Sequence, residues 1–218
     1  MTATITTAAR PFNEAPRPDY GRRQELRGVS KGVIVGAVMG LAWAASALGP
    51  LRPTVAVAVA VGAIAVFALL MLGARRLHHA AAAIPQSAAP ATDLSRVRRR
   101  FTLVVVAECA AIAGAVNILG AAGHREWIPA AICATVGLHF VPLARLFGVA
   151  LYYATAVALC LAAMSTVILG AAGAPGAIWQ LLPGFGAALA LWATSAALLV
   201  TTTSDRGRAR TSLTGIYR

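Results

Sequence analysis

Thr54–Ala74 reads TVAVAVAVGAIAVFALLMLGA, twenty-one residues without a charge or a proline, closed by Arg75-Arg76. A helix rises about 1.5 Å per residue, so this run crosses a hydrocarbon core of about 30 Å with nothing polar left in it. A β-barrel span would be about 10 residues long and would alternate polar with apolar side chains. The stretch is therefore read as a transmembrane α-helix, and the rest of the chain is read outward from it.

Five more runs of similar character flank it, giving spans at 32–49, 54–74, 101–122, 127–144, 148–172 and 178–203. Between and around them lie a polar segment 1–31 rich in proline and arginine, a basic linker 75–100 and a polar tail 204–218. The N-terminal segment offers no apolar core, so disorder is expected there. The whole-chain composition agrees with the count of spans. At 59% hydrophobic and 12% charged residues, it excludes an ordinary soluble domain and a disordered chain.

The net charge of +12 is a sum over two sides. Six basic residues precede the first span, six lie in 75–100, Arg145 follows the fourth span and four occupy the C-terminal tail, against only Arg52 and Arg125 on the other side. Basic loops stay in the cytoplasm, so both termini are expected there, in the cell (inner) membrane of a bacterium, and the basic pI implies no nucleic-acid partner. Trp43, Trp127 and Trp179 then fall near the outer boundary, where amphipathic rings anchor. The fold expected is an all-α six-helix bundle of three consecutive hairpins. The alternative is that Lys31, the apolar stretch 33–44 and Ala45-Ser46-Ala47 form a cleaved signal, leaving five spans; the long polar segment before them argues against it, and mass spectrometry of the mature N-terminus decides.

Small residues mark where helices can approach. Gly32, Gly36, Gly40 and Ala44 repeat every fourth residue on one face of the first span, and Ala154, Ala158, Ala162, Thr166 and Gly170 do the same in the fifth. Such ladders serve either packing within the chain or a homodimer seam. The hexamer Ile118–Gly123 recurs letter for letter at Ile168–Gly173, at the ends of the third and fifth spans. This is either a duplicated hairpin or a coincidence of composition.

Polar residues inside the spans are the informative exceptions. A carboxylate at the centre of a spanning helix costs about 2.5–3.5 kcal/mol on insertion scales unless it is protonated, paired or hydrated. Glu108 lies about 10 Å along the third span, and His139 about 9 Å from the basic end of the fourth. The two helices are antiparallel neighbours, so these residues are expected to meet. Pro142 frees the Leu138 carbonyl beside His139. Arg145, Tyr152 and Tyr153 sit at similar or shallower depth, completing a candidate polar pocket of Glu108, His139, Pro142, Arg145, Tyr152 and Tyr153. The pocket takes and releases protons on the functional reading, and locks two helices on the structural one. Asn117, about 900° round the helix from Glu108, is expected to bond another helix instead.

Other chemistry is not signalled. Cys109, Cys133 and Cys160 form neither a disulfide framework nor a metal spacing and read as small apolar residues. His78-His79 has no cysteine or carboxylate nearby, and His139 is the only histidine within a span, so no metal, haem or other cofactor is expected. The basic segment 75–100 suits contact with anionic lipid.

Gly137-Leu138-His139-Phe140-Val141-Pro142-Leu143-Ala144-Arg145-Leu146-Phe147, followed by Tyr152-Tyr153, is similar to a GLHFxPLAxxF…YY segment of uncharacterised small bacterial multi-pass membrane proteins. After the tyrosines those proteins tend to place Thr-Gly, where this chain has Ala154-Thr155-Ala156. The resemblance covers the fourth span and the start of the fifth and implies a compact multi-helix membrane domain, with no activity attached. Two functional classes follow from the residues: a small transporter or permease-like protein using the Glu/His pocket, or a non-transporting accessory or scaffold subunit that binds lipid or a partner protein. An enzyme ranks third.

Overall fold

The computed structural model describes residues 18–84 and 91–215, with side chains described over 22–84 and 95–202. Six helices follow one another: α1 (Pro18–Ser46), α2 (Pro53–Ala82), α3 (Ala91–Ala121), α4 (Ile128–Phe147), α5 (Leu151–Ala171) and α6 (Ile178–Gly215), with a 3-10 turn at Arg125–Trp127 before α4. No strand occurs among the described residues, and all six helices are long and apolar enough to cross a membrane.

Four helices run beyond the apolar spans. Where disorder is expected through residue 31, the chain is helical from Pro18; α2 continues past Arg75-Arg76 to Ala82, α3 begins at Ala91 inside the basic linker, and α6 runs to Gly215 through the expected tail. Residues 1–17, 85–90 and 216–218 lie outside the described residues. The physical reason is visible in α1 and α2. Leu26, Leu77 and Ala81 are buried together, with Val29, Ile84 and Leu199 packed on them. This small apolar cluster lets arginine-rich segments of good helix propensity stay helical beyond the apolar runs.

In space α1 packs on α2 and on α6, α6 on α5, α5 on α4, and α4 on α3. A further contact between α4 and α6 closes a compact centre of α1, α4, α5 and α6. The two consecutive helices α2 and α3 end up at opposite flanks. α3 packs only on α4 and the 3-10 turn among the closer helix contacts, and no residue of its apolar window is buried.

The glycine ladder of α1 is used within the chain. A Cβ at Gly36 would collide with Ser195 Oγ of α6, one at Gly40 with the Trp192 indole, and one at Gly32 would lie 3.2 Å from the Tyr152 hydroxyl. Without side chains the helices come close enough for the Trp192 indole N–H to reach the Ala37 carbonyl at 3.4 Å. Trp43 is buried in the core with Leu159, Leu191 and Ala187, while Trp127 and Trp179 stack on each other at 5.2 Å. In α5 the buried face is Thr155, Ala156, Leu159, Ala163 and Thr166, rather than the full alanine ladder. Two hydroxyls tie α5 to α6, Thr155 Oγ1 and Thr194 Oγ1 being 2.6 Å apart.

The recurring hexamer is a helix stop. Gly123 and Gly173 adopt φ of 80° and 82°, a left-handed conformation that costs glycine no Cβ clash. His124 N–H then donates back to the Leu119 carbonyl at 2.9 Å, and Ala174 N–H to that of Leu169 at 3.0 Å. This six-to-one bond satisfies carbonyls that the ending helix would otherwise leave free.

Candidate functional site

Gly137 decides which way His139 faces. A Cβ at Gly137 would lie 2.8 Å from Cys160 Sγ and 3.1 Å from Leu159 Cβ, so this side of α4 is pressed against α5. His139 is two residues on, about 200° round the helix, and therefore points away from α5 and toward α3. On α3, Val104, Glu108 and Ile112 are spaced four apart and all partly buried, which makes them the stripe that meets α4.

These two faces bring the carboxylate and the imidazole together. His139 Nδ1 lies 3.2 Å from Glu108 Oε2, with the side chains 10% and 18% exposed respectively. The contact is close without being aligned as a hydrogen bond: Nδ1 is buried and has no hydrogen-bond partner among the described residues. Within the six apolar runs read from the sequence this is the one carboxylate, and it faces the one histidine of those runs.

The other expected members of the pocket are dispersed. Phe140, about 100° round the helix from His139, faces α5 and takes the Tyr152 ring edge-on at 5.5 Å. The Tyr152 hydroxyl then sits against Gly32 of α1, on the far side of α4 from Glu108. Tyr153 is 41% exposed, and Arg145 is exposed at the end of α4. Pro142 is half-buried inside α4, which continues to Phe147, and Leu138 is 64% exposed. The site that the structure brings together is thus the pair Glu108–His139, not a six-residue pocket. Asn117 also departs from expectation. Its amide Nδ2 donates to the Ala113 carbonyl of its own helix at 2.7 Å, and the residue is exposed, because α3 has no second helix on that side to bond.

Gly28-Val29-Ser30-Lys31-Gly32 carries the letters G-x-S-x-G of a hydrolase nucleophile elbow. That chemistry needs serine on a sharp strand-to-helix turn. Here Ser30 is mid-helix, 1% exposed, and its hydroxyl donates to the Ala74 carbonyl of α2 at 3.0 Å. It is a packing residue that joins α1 to α2.

What sequence spacing does not signal is the meeting of Thr155 of α5 with Thr194 of α6, and of Ser195 of α6 with Gly36 of α1. These residues sit at ordinary positions in apolar runs, and only the packed helices reveal what they meet. No family model matches the chain, and neither a curated protein nor a solved structure matches it.

Proposed function

We propose that the chain is a small permease-like transporter of the bacterial inner membrane that couples solute movement to protons through Glu108 and His139. The observation that carries this reading is the 3.2 Å approach of His139 Nδ1 to Glu108 Oε2 within two apolar spans. With one shared proton the pair is neutral overall, whether the proton sits on the carboxylate or the imidazole. Adding or removing a proton leaves a net charge that hydrocarbon penalises by several kcal/mol. A second proton is therefore held only when water or a compensating solute charge reaches the seam, which is the linkage a coupled transporter needs.

Uptake by the purified protein in liposomes tests this. Glu108→Gln and His139→Ala, both folded, are expected to abolish proton-driven solute uptake; unchanged uptake in both ends the proposal. In the same reading the helices form three hairpins with both termini in the cytoplasm, supported by seventeen basic residues on one side against two on the other. In a cysteine-free background, a cysteine at position 125 should react with an impermeant maleimide from outside, and one at position 208 only after permeabilisation. The reverse pattern would overturn the orientation.

A second reading, an accessory subunit, is favoured by α3, whose apolar window has no buried residue and which leaves most of its surface to lipid or a partner helix. Under it, deleting the arginines at 96–100 removes a co-purifying partner while the Glu108 and His139 substitutions change nothing.

A further inference from the structure

Asn117 is turned away from the rest of its own chain. It lies half a turn round α3 from Glu108, so the face that meets α4 is opposite to it. At about 100° per residue, Leu103, Val106, Ala110 and Ala113 share the face of Asn117, at alternating spacings of three and four. All five are exposed, and a Cβ added at Gly114 beside them would meet nothing within 4 Å. The face is a ridge of about 21 Å that no helix covers among the described residues.

One hydrogen-bonding side chain stands in that apolar ridge. The Asn117 carboxamide spends one N–H on the Ala113 carbonyl at 2.7 Å, and its Oδ1 and second N–H have no partner among the described residues. Hydrocarbon offers them none, so what covers the ridge must bring a donor and an acceptor to the level of Asn117. α2, the other flank, cannot do so, because residues 55–74 contain no hydroxyl, amide or charged side chain. A second copy of α3 can. Copies of one chain insert in the same sense, since charge bias sets one orientation, and two parallel α3 helices then place Asn117 beside its own counterpart. A carboxamide is its own complement, each N–H donating to the other's Oδ1.

The spacing fits the same occupant. Positions 103, 106, 110, 113 and 117 form an a/d repeat of about 3.5 residues, the pattern that two parallel helices bury by supercoiling left-handedly. Asparagine at a single a position of such a seam sets its register and pairing. The small side chains of Ala110, Ala113 and Gly114 let the two backbones approach closely. Arg96 and Arg99 continue the face, but they precede the apolar run that begins at Phe101, so water and salt screen their like charges. We propose that α3 is the seam of a parallel homodimer, closed from Leu103 to Asn117, with the two Asn117 carboxamides hydrogen-bonded to each other. Glu108 lies on the opposite side of α3, so the seam does not depend on transport.

Two measurements on the purified full-length protein in phosphatidylcholine–phosphatidylglycerol liposomes test this. Energy transfer between donor- and acceptor-labelled copies, followed as lipid is added, gives the Kd of the dimer. Asn117→Leu is expected to weaken it about 3- to 20-fold, while Ile118→Ala, about 100° off the ridge, leaves it unchanged. Both side chains are exposed within the chain, so both variants should melt with the wild type in a detergent that keeps the protein monomeric. In a cysteine-free background, Ala110→Cys and Ala113→Cys should oxidise with copper phenanthroline to disulfide-linked dimers several-fold more than Ala111→Cys and Ile118→Cys. The proposal is overturned if the protein stays monomeric at every lipid dilution, or if Asn117→Leu dimerises as tightly as the wild type. It is equally overturned if positions 111 and 118 cross-link as well as 110 and 113. Unfolding of Asn117→Leu in detergent would also overturn it, since the carboxamide would then serve its own chain.

Discussion

His139 on α4 and Glu108 on α3 stand 3.2 Å apart, Nδ1 to Oε2, yet the buried Nδ1 makes no hydrogen bond among the described residues. A polar contact so placed contributes to stability only through the geometry it attains. In membrane proteins interhelical polar pairs average about 0.6 kcal/mol, with a maximum near 1.7. The misaligned pair should fall at the lower end of that range.

A double-mutant cycle of Glu108→Ala and His139→Ala, read by equilibrium unfolding in micelles, is therefore expected to give a coupling of about 0.5–1 kcal/mol. Strict additivity of the two substitutions would show that the side chains do not interact in the folded protein. This measurement is independent of transport, so it separates the existence of the pair from its use.

The α1–α6 seam predicts a contrast among glycines. Gly36 and Gly40 have no room for a side chain against Ser195 and Trp192, and the indole cannot fold away as a flexible chain end can. Gly36→Val and Gly40→Val should each lower stability by about 1–3 kcal/mol. Gly62 and Gly114 meet nothing within 4 Å of an added Cβ. Their alanine variants should be neutral or stabilising by up to about 1 kcal/mol, through better helix propensity. Thermal unfolding of the four variants checks the order, and comparable losses in all four would contradict the packing described.

The paired helix stops predict equal penalties. Gly123→Ala and Gly173→Ala place a Cβ in the left-handed region, at φ of 80° and 82°, and each should cost about 1–2 kcal/mol. Gly120→Ala, three residues earlier with open space around it, should cost nothing. If Gly120→Ala proved as damaging as Gly123→Ala, the explanation by left-handed backbone would be wrong.

Part of this architecture is legible in the amino-acid sequence. Each apolar run from Thr54–Ala74 outward corresponds to a helix of spanning length, because a segment without charges over about 20 residues has one stable form in lipid. Helix ends are less legible. The runs stop where polarity begins, whereas α1, α2, α3 and α6 continue, because backbone hydrogen bonding and a few apolar contacts such as Leu26–Leu77 do not require lipid. The meeting of Glu108 with His139 is also legible, as depth along two antiparallel neighbours is set by residue count alone.

Which residues join them is not. Tyr152 is near the right depth, but Phe140 and Gly32 hold it on the other side of α4, and rotation about a helix axis depends on which neighbour each face meets. The sequence by itself determined the number, length and apolar character of the spans, since these follow from solvation of single segments. Only the tertiary structure decided that α1 and α6 share the glycine seam, that α2 and α3 lie at opposite flanks, and that Asn117 is left with only its own helix to bond among the described residues. Those are properties of helix faces in contact, and in lipid, where all apolar faces are equally solvated, small-residue fit and polar pairing choose among them.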